Sequence, residues 1–203
     1  MIESQQHTIY INSNHPGAFR EFTLALSELL NDASLPLYDH IIIMCIGTDR
    51  STGDSLGPLV GYKLNNLKYR NVHVLGTLDQ PVHAKNLEEN LQYVKMTYSN
   101  PLIIAIDACL GRTDHIGYVT VSRKPIKPGA GVNKDLPEVG DISIAGIVNF
   151  SGFMDFVVLQ NTRLSIVMKM TDLITSGLKY VLWKQCNHTI APYSLVKRKD
   201  FIF

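Results

Sequence analysis

Two apolar, β-branched runs constrain the fold of this chain more than any other feature. The first, Ile41-Ile42-Ile43-Met44-Cys45-Ile46, stops at Gly47 and gives way to a polar loop containing Asp54. Leu56-Gly57-Pro58 then restarts the apolar pattern. The second, Leu102 to Ile106, leads directly into Asp107. A short, continuously apolar run bounded by turn residues reads as a strand covered on both faces, the habit of parallel sheets. Open α/β sheets place their chemistry in loops at the carboxyl ends of such strands. Both aspartates are therefore expected at one sheet edge.

The rest of the pattern fits around these strands. Residues 7–12 (HTIYIN) alternate as a strand, and Phe19, Phe22, Leu26, Leu29 and Leu30 recur at helical spacing over 16–30. Pro58 suits the first turn of a helix that runs to about Asn65. A strand is expected at 72–78 and a helix at 84–96. Further strands follow at 102–106, ending at Asp107, then at 116–123 and 141–150, and a long helix spans about 162–183. Strands alternating with helices predict one three-layer α/β/α domain over 1–203, with its core in about 40–183 and a mostly parallel, mixed sheet. The segments at 116–123 and 141–149 have no helix between them, so that part of the sheet is expected to be antiparallel.

Composition narrows the function classes. A chain of 203 residues with 45% hydrophobic and 18% charged residues can bury one sizeable core. A net charge of +1 gives no general attraction to nucleic acid or to an anionic membrane. Lys197-Arg198-Lys199, followed by Asp200, reads as a solvated tail. The first residues lack the basic start and apolar core of a signal peptide, and no apolar run approaches the ~20 residues of a membrane span. Three cysteines without a CxxC pair read as thiols in a reducing cytosol, not as a zinc site. The expectation is a cytoplasmic protein with no membrane or direct nucleic-acid partner and no cofactor.

Several familiar chemistries lack their residues. Gly47 and Gly53 are not followed by the Lys-Ser/Thr of a phosphate loop, and neither GxGxxG nor GxSxG occurs. For Asp54 the structural alternative is a helix N-cap, and for Asp107 a strand-end residue that orients the next loop. Taken together the two are more informative. Two carboxylates in one crevice cannot both ionise cheaply, so one keeps its proton and can act as an acid while the other acts as a base. The same pair could hold a divalent metal, with His83 as a third ligand if a metal is present. His83 follows the 72–78 strand and is expected at the same edge, where it could also touch substrate, although a histidine before a helix is commonly a capping or packing residue. His115 is a weaker candidate. The loop at 127–141 could present the backbone of Gly129, Ala130, Gly131 and Asn133 to a substrate main chain or an oxyanion, or could simply connect strands.

Four motifs in order, GDSLGP with Asp54, IDACLG with Asp107, PGAGVN at 128–133 and GDISIAGIVNFSGFMDFVVLQNTRL at 140–164, resemble the germination protease-like proteins of endospore-forming bacteria. The likeness is closest to the smaller sporulation-associated spore proteases and runs over about 40–183. It implies a more distant relation to the hydrogenase-maturating endopeptidases, with their phosphorylase/hydrolase-like α/β fold. It also implies an aspartate-dependent endopeptidase of the forespore interior, in which Asp54 and Asp107 activate water and a small spore protein or peptide is the substrate. A homo-oligomer is a further family-level expectation. The chain is shorter than the germination protease and shows no obvious propeptide, and His83 precedes Asp107 where the nickel-gathering histidine of the maturating enzymes comes later. The alternative is a non-catalytic relative that binds a peptide, a protein or a metal in the same crevice.

Overall fold

A computed structural model describes residues 8–32, 37–128, 136–152 and 154–188, with the backbone alone for 186–188. In chain order its elements are β1 (Ile9–Asn12), α1 (Ala18–Leu30), β2 (His40–Cys45), α2 (Leu56–Leu64), β3 (Val72–Leu75) and α3 (Leu87–Thr97). They continue with β4 (Pro101–Gly111), β5 (Tyr118–Ser122), β6 (Ile142–Phe150), α4 (Asp155–Gln160) and α5 (Leu164–His188). The strands form one sheet in the order β1-β5-β6-β4-β2-β3. The four strands from β6 to β3 are parallel, whereas β5 runs antiparallel to both β1 and β6. The antiparallel end falls where the sequence lacks a crossover helix, the element that usually returns a strand parallel to its neighbour.

The continuous apolar run of β2 is explained by burial on both sides. Ile41, Ile43 and Cys45 point into a core shared with Phe22 and Leu26 of α1, Val60 and Leu64 of α2, and Ile174 and Leu178 of α5. Ile42 and Met44 point to the opposite face, onto Leu87 and Val94 of α3. The result is three layers, with α1, α2 and α5 on one side of the sheet and α3 on the other. Among the described residues, no helix is long and apolar enough to cross a membrane.

Two differences from the expected pattern matter for function. β4 does not stop at Asp107 but continues to Gly111, because the nine-residue β6 still pairs with it there. β2 ends at Cys45, opposite Ile106, so β4 outruns its neighbour. The short helix α4 was not anticipated. Its sequence, DFVVLQ, has no buried residue and hence no apolar face for periodicity to reveal.

Candidate active site

Asp54 lies in a 3-10 turn, Gly53–Ser55, between β2 and α2. It does not cap α2: Ser55 holds the N-cap position, and no side-chain hydrogen bond is made there. The turn is brought close to the end of β2 by Gly47, whose φ of +137° is outside the reach of ordinary L-residues. A Cβ on Gly47 would fall 2.1 Å from the backbone oxygen of Asp54. That oxygen accepts a hydrogen bond from the Thr48 N–H at 3.1 Å, which ties the loop back to the strand. On the outside, a Cβ on Gly53 would meet Leu159 and Thr162 at 2.9 Å, so the turn packs directly under the end of α4.

Asp107 is carried on the central strand and is only 8% exposed. One of its carboxylate oxygens accepts the N–H of Ala108 at 2.8 Å. Because β2 and β4 are adjacent, parallel and in register from His40↔Pro101 to Cys45↔Ile106, the loop leaving β2 reaches the segment of β4 that extends past it. The two aspartates thus line one cavity of about 260 Å³, together with Cys109, Leu110, Lys127, Ser151, Asp155 and Leu159.

Burial makes both carboxyls reluctant to ionise. Desolvation pushes Asp54 from 3.8 up to about 6, against the lowering effect of a hydrogen bond from the Thr48 backbone. Asp107 is raised well above 3.8, first by desolvation and then by the charge of Asp54, with the Ala108 N–H opposing. Asp54 therefore ionises first, and its charge helps keep the proton on Asp107. The thiol of Cys109, two residues along the same strand, is pushed up to about 12 by burial and by Asp107, so it is a neutral group in the cavity wall.

The remaining sequence candidates are placed elsewhere. His83 is not brought to the aspartate pair. It lines a separate hollow of about 470 Å³ beside β3, with Gly76, Asp79, Asn86 and Asn90. There it shapes the turn into α3: its N–H donates to Asn86 Oδ1 at 2.8 Å and its Nδ1 accepts the Lys85 N–H at 3.3 Å. The Asp54/His83/Asp107 metal set does not assemble, and among the described residues no three His, Cys, Asp or Glu side chains are placed to hold a metal ion. His115 packs between Tyr10 and Tyr118 with its ring tilted to both, the centroids 5.1 Å from each. Gly129, Ala130, Gly131 and Asn133 lie outside the described residues. Sequence reasoning missed Asp155, which opens α4 and accepts the Gly152 N–H at 3.0 Å. The stretch Ser151 to Asp155 carried a hint in its Ser-Gly start followed by an acid.

The family model described as a protein of unknown function, DUF1256, matches residues 10–177, which include both aspartates and the whole sheet except Ile9. The chain belongs to the DUF1256 family. Uncharacterized protein YyaC of Bacillus subtilis (strain 168) is 49% identical to this DUF1256 chain over 169 residues, or 83% of this chain and 81% of YyaC. Among solved structures, the [NiFe] hydrogenase maturation protease HycI from Thermococcus kodakarensis KOD1 is similar with a TM-score of 0.47 at 17% identity. The likeness covers 76% of this chain and 98% of HycI. The hydrogenase maturating endopeptidase HybD from E. coli gives a TM-score of 0.41 at 12% identity, over 70% and 93% of the two chains.

Proposed function

We propose that this DUF1256 chain is a peptidase that hydrolyses amide bonds with the Asp54–Asp107 pair, acting on peptides or small spore proteins. The observation that carries the reading is electrostatic. Two carboxyls share one cavity, one titrating at about 6 and the other held well above its ordinary range. Near neutral pH the pair then holds one proton and one charge, which is what an acid–base couple needs.

The roles follow from the order of ionisation. Asp54, charged, accepts a proton from a water molecule in the cavity as the water oxygen attacks the amide carbon. Asp107, neutral, gives its proton to the leaving nitrogen as the carbon–nitrogen bond breaks. The products are a carboxylic acid and an amine. The pair is left with the proton on Asp54 and the charge on Asp107, and transfer of the proton between them or through solvent restores the starting state. The motif resemblance to germination proteases agrees with this assignment, because the matched aspartates are these two.

The test is digestion of a small acid-soluble spore protein by the wild type, Asp54→Asn and Asp107→Asn, each with and without chelator. Loss of turnover by about 10²-fold or more in both variants, insensitive to chelator and with folding intact, is the expected result. Turnover unchanged in both variants overturns the proposal.

A further inference from the structure

The strand that carries Asp107 also offers a backbone edge, and this edge points to the form of the substrate. Successive residues of a strand direct their backbone N–H and C=O groups to opposite sides. On β4 the parity is fixed by four bonds. Ile103 C=O accepts Asp141 N–H and Gly111 C=O accepts Ser151 N–H, so odd-numbered residues face β6; Ile103 N–H, donated to Asp141 Oδ2, agrees. Ile106 C=O accepts Ile46 N–H, so even-numbered residues face β2. β2 is no longer alongside beyond Ile106. Ala108 and Leu110 therefore present their backbone groups to a lane that β2 has vacated. The Ala108 N–H turns to the carboxylate of Asp107. Among the described residues, no backbone group pairs with the Ala108 C=O or with the Leu110 N–H and C=O.

The cavity occupies that lane. It is lined by four consecutive residues, Asp107, Ala108, Cys109 and Leu110. Side chains at these positions alternate between the two faces of the sheet, so a hollow touching all four wraps the open edge of the strand, and through Ala145, the β6 partner of Asp107, it continues over the face that carries that aspartate. The aspartate pair stands at one end of the lane, and the cavity as a whole is also lined by Ile126, Ala145 and Leu159.

We propose that the substrate is an extended, unfolded polypeptide segment that adds to β4 as a strand. It would pair with Ala108 and Leu110 in the lane beyond β2, with its scissile amide at Asp54 and Asp107. This deepens the peptidase reading and rests on it. Strand addition draws affinity from main-chain hydrogen bonds, which any extended sequence can make, while helices and folded loops cannot enter. The site thus selects for conformation first and side chain second.

The experiment uses the full chain and reduced, carboxymethylated α-lactalbumin as the unfolded probe, with the native disulfide-bonded protein as its counterpart. Cleavage is followed by mass spectrometry, and a peptide around the first cut, or the tightest binder of an overlapping set from the same probe if no cut is made, is then N-methylated at one backbone nitrogen at a time. Leu110→Pro removes an N–H that the β4–β6 ladder does not use, and Leu110→Ala controls for the side chain. Binding of the labelled peptide to Asp54→Asn, alone and combined with Leu110→Pro, gives a readout that needs no turnover.

Expected are cleavage of the unfolded probe alone, an N-methyl effect that alternates along the peptide, and KM raised about five- to tenfold by Leu110→Pro with kcat little changed. Wild-type turnover that is indifferent to Leu110→Pro and to methylation overturns the strand-addition proposal while leaving the peptidase intact. Alternating, Leu110→Pro-sensitive binding without wild-type turnover supports the edge and sinks the peptidase. Neither binding nor cleavage overturns both.

Discussion

The acid pair should cost the fold stability, and removing a charge from it should therefore strengthen the fold. Asp54 titrates at 3.8 in an open chain and at about 6 when folded. Between those values the folded state holds a proton that the unfolded state has released, so the Asp54 contribution to stability falls as pH rises through this window and is constant above it. At about 1.4 kcal/mol for each tenfold change in proton affinity, the full loss by neutral pH is about 3 kcal/mol. Asp54 retains some solvent access, so about 1–3 kcal/mol is the realistic range. Asn at this position has nearly the same shape and nothing to titrate. Asp54→Asn should accordingly melt higher than wild type at pH 8, by roughly 2–10 °C for a chain of this size, with the gap closing towards pH 4. Scanning calorimetry at pH 4, 6 and 8 reads this directly. A variant that melts at or below wild type at pH 8, or a gap that does not shrink on acidification, would refute the claim that Asp54 is a desolvated carboxylate.

Two further outcomes follow from the same geometry. The kcat/KM for the unfolded probe should rise as Asp54 loses its proton at about pH 6, and fall again at higher pH as Asp107 ionises; stopped assays across pH 4 to 10 would show it, and activity still climbing as the pH drops below 5 would refute a general base that titrates at about 6. Gly47→Ala should be among the most damaging single-methyl additions in the chain, because both the φ of +137° and the 2.1 Å approach to Asp54 oppose it; urea unfolding should show a loss of about 3 kcal/mol or more, with activity falling alongside.

The parts of this architecture that could be read in the sequence are those set by burial. The doubly apolar run at 41–46 required cover on both faces, which forces a sheet between helix layers, and the parallel neighbours β2 and β4 then bring Asp54 and Asp107 together. Other features depend on partners distant in sequence. The end of β4 is decided by how far β6 accompanies it, and nothing in Ala108-Cys109-Leu110-Gly111 marks that length. His83 could be placed on a loop at the right end of the sheet, but not across it. β3 is an edge strand, and the turn at His83 opens beside it, away from β4. The helix α4 is held by its neighbours and not by its own pattern. Asn149 reaches Val158 C=O at 3.3 Å and Thr162 Oγ1 at 3.2 Å, contacts that no local periodicity reports.

The parallel register of β2 against β4 also governs when the protein can act. The two strands are separated by α2, β3 and α3, and pairings between strands so far apart in the chain form late, after the entropy of a long loop has been met. Before they pair, Asp54 and Asp107 are two ordinary acids in water, each ionised at neutral pH and without influence on the other. The unequal proton affinities come into being only when the central sheet closes. On the proposed peptidase reading a nascent or damaged copy is consequently inert, and turnover would report a completed core.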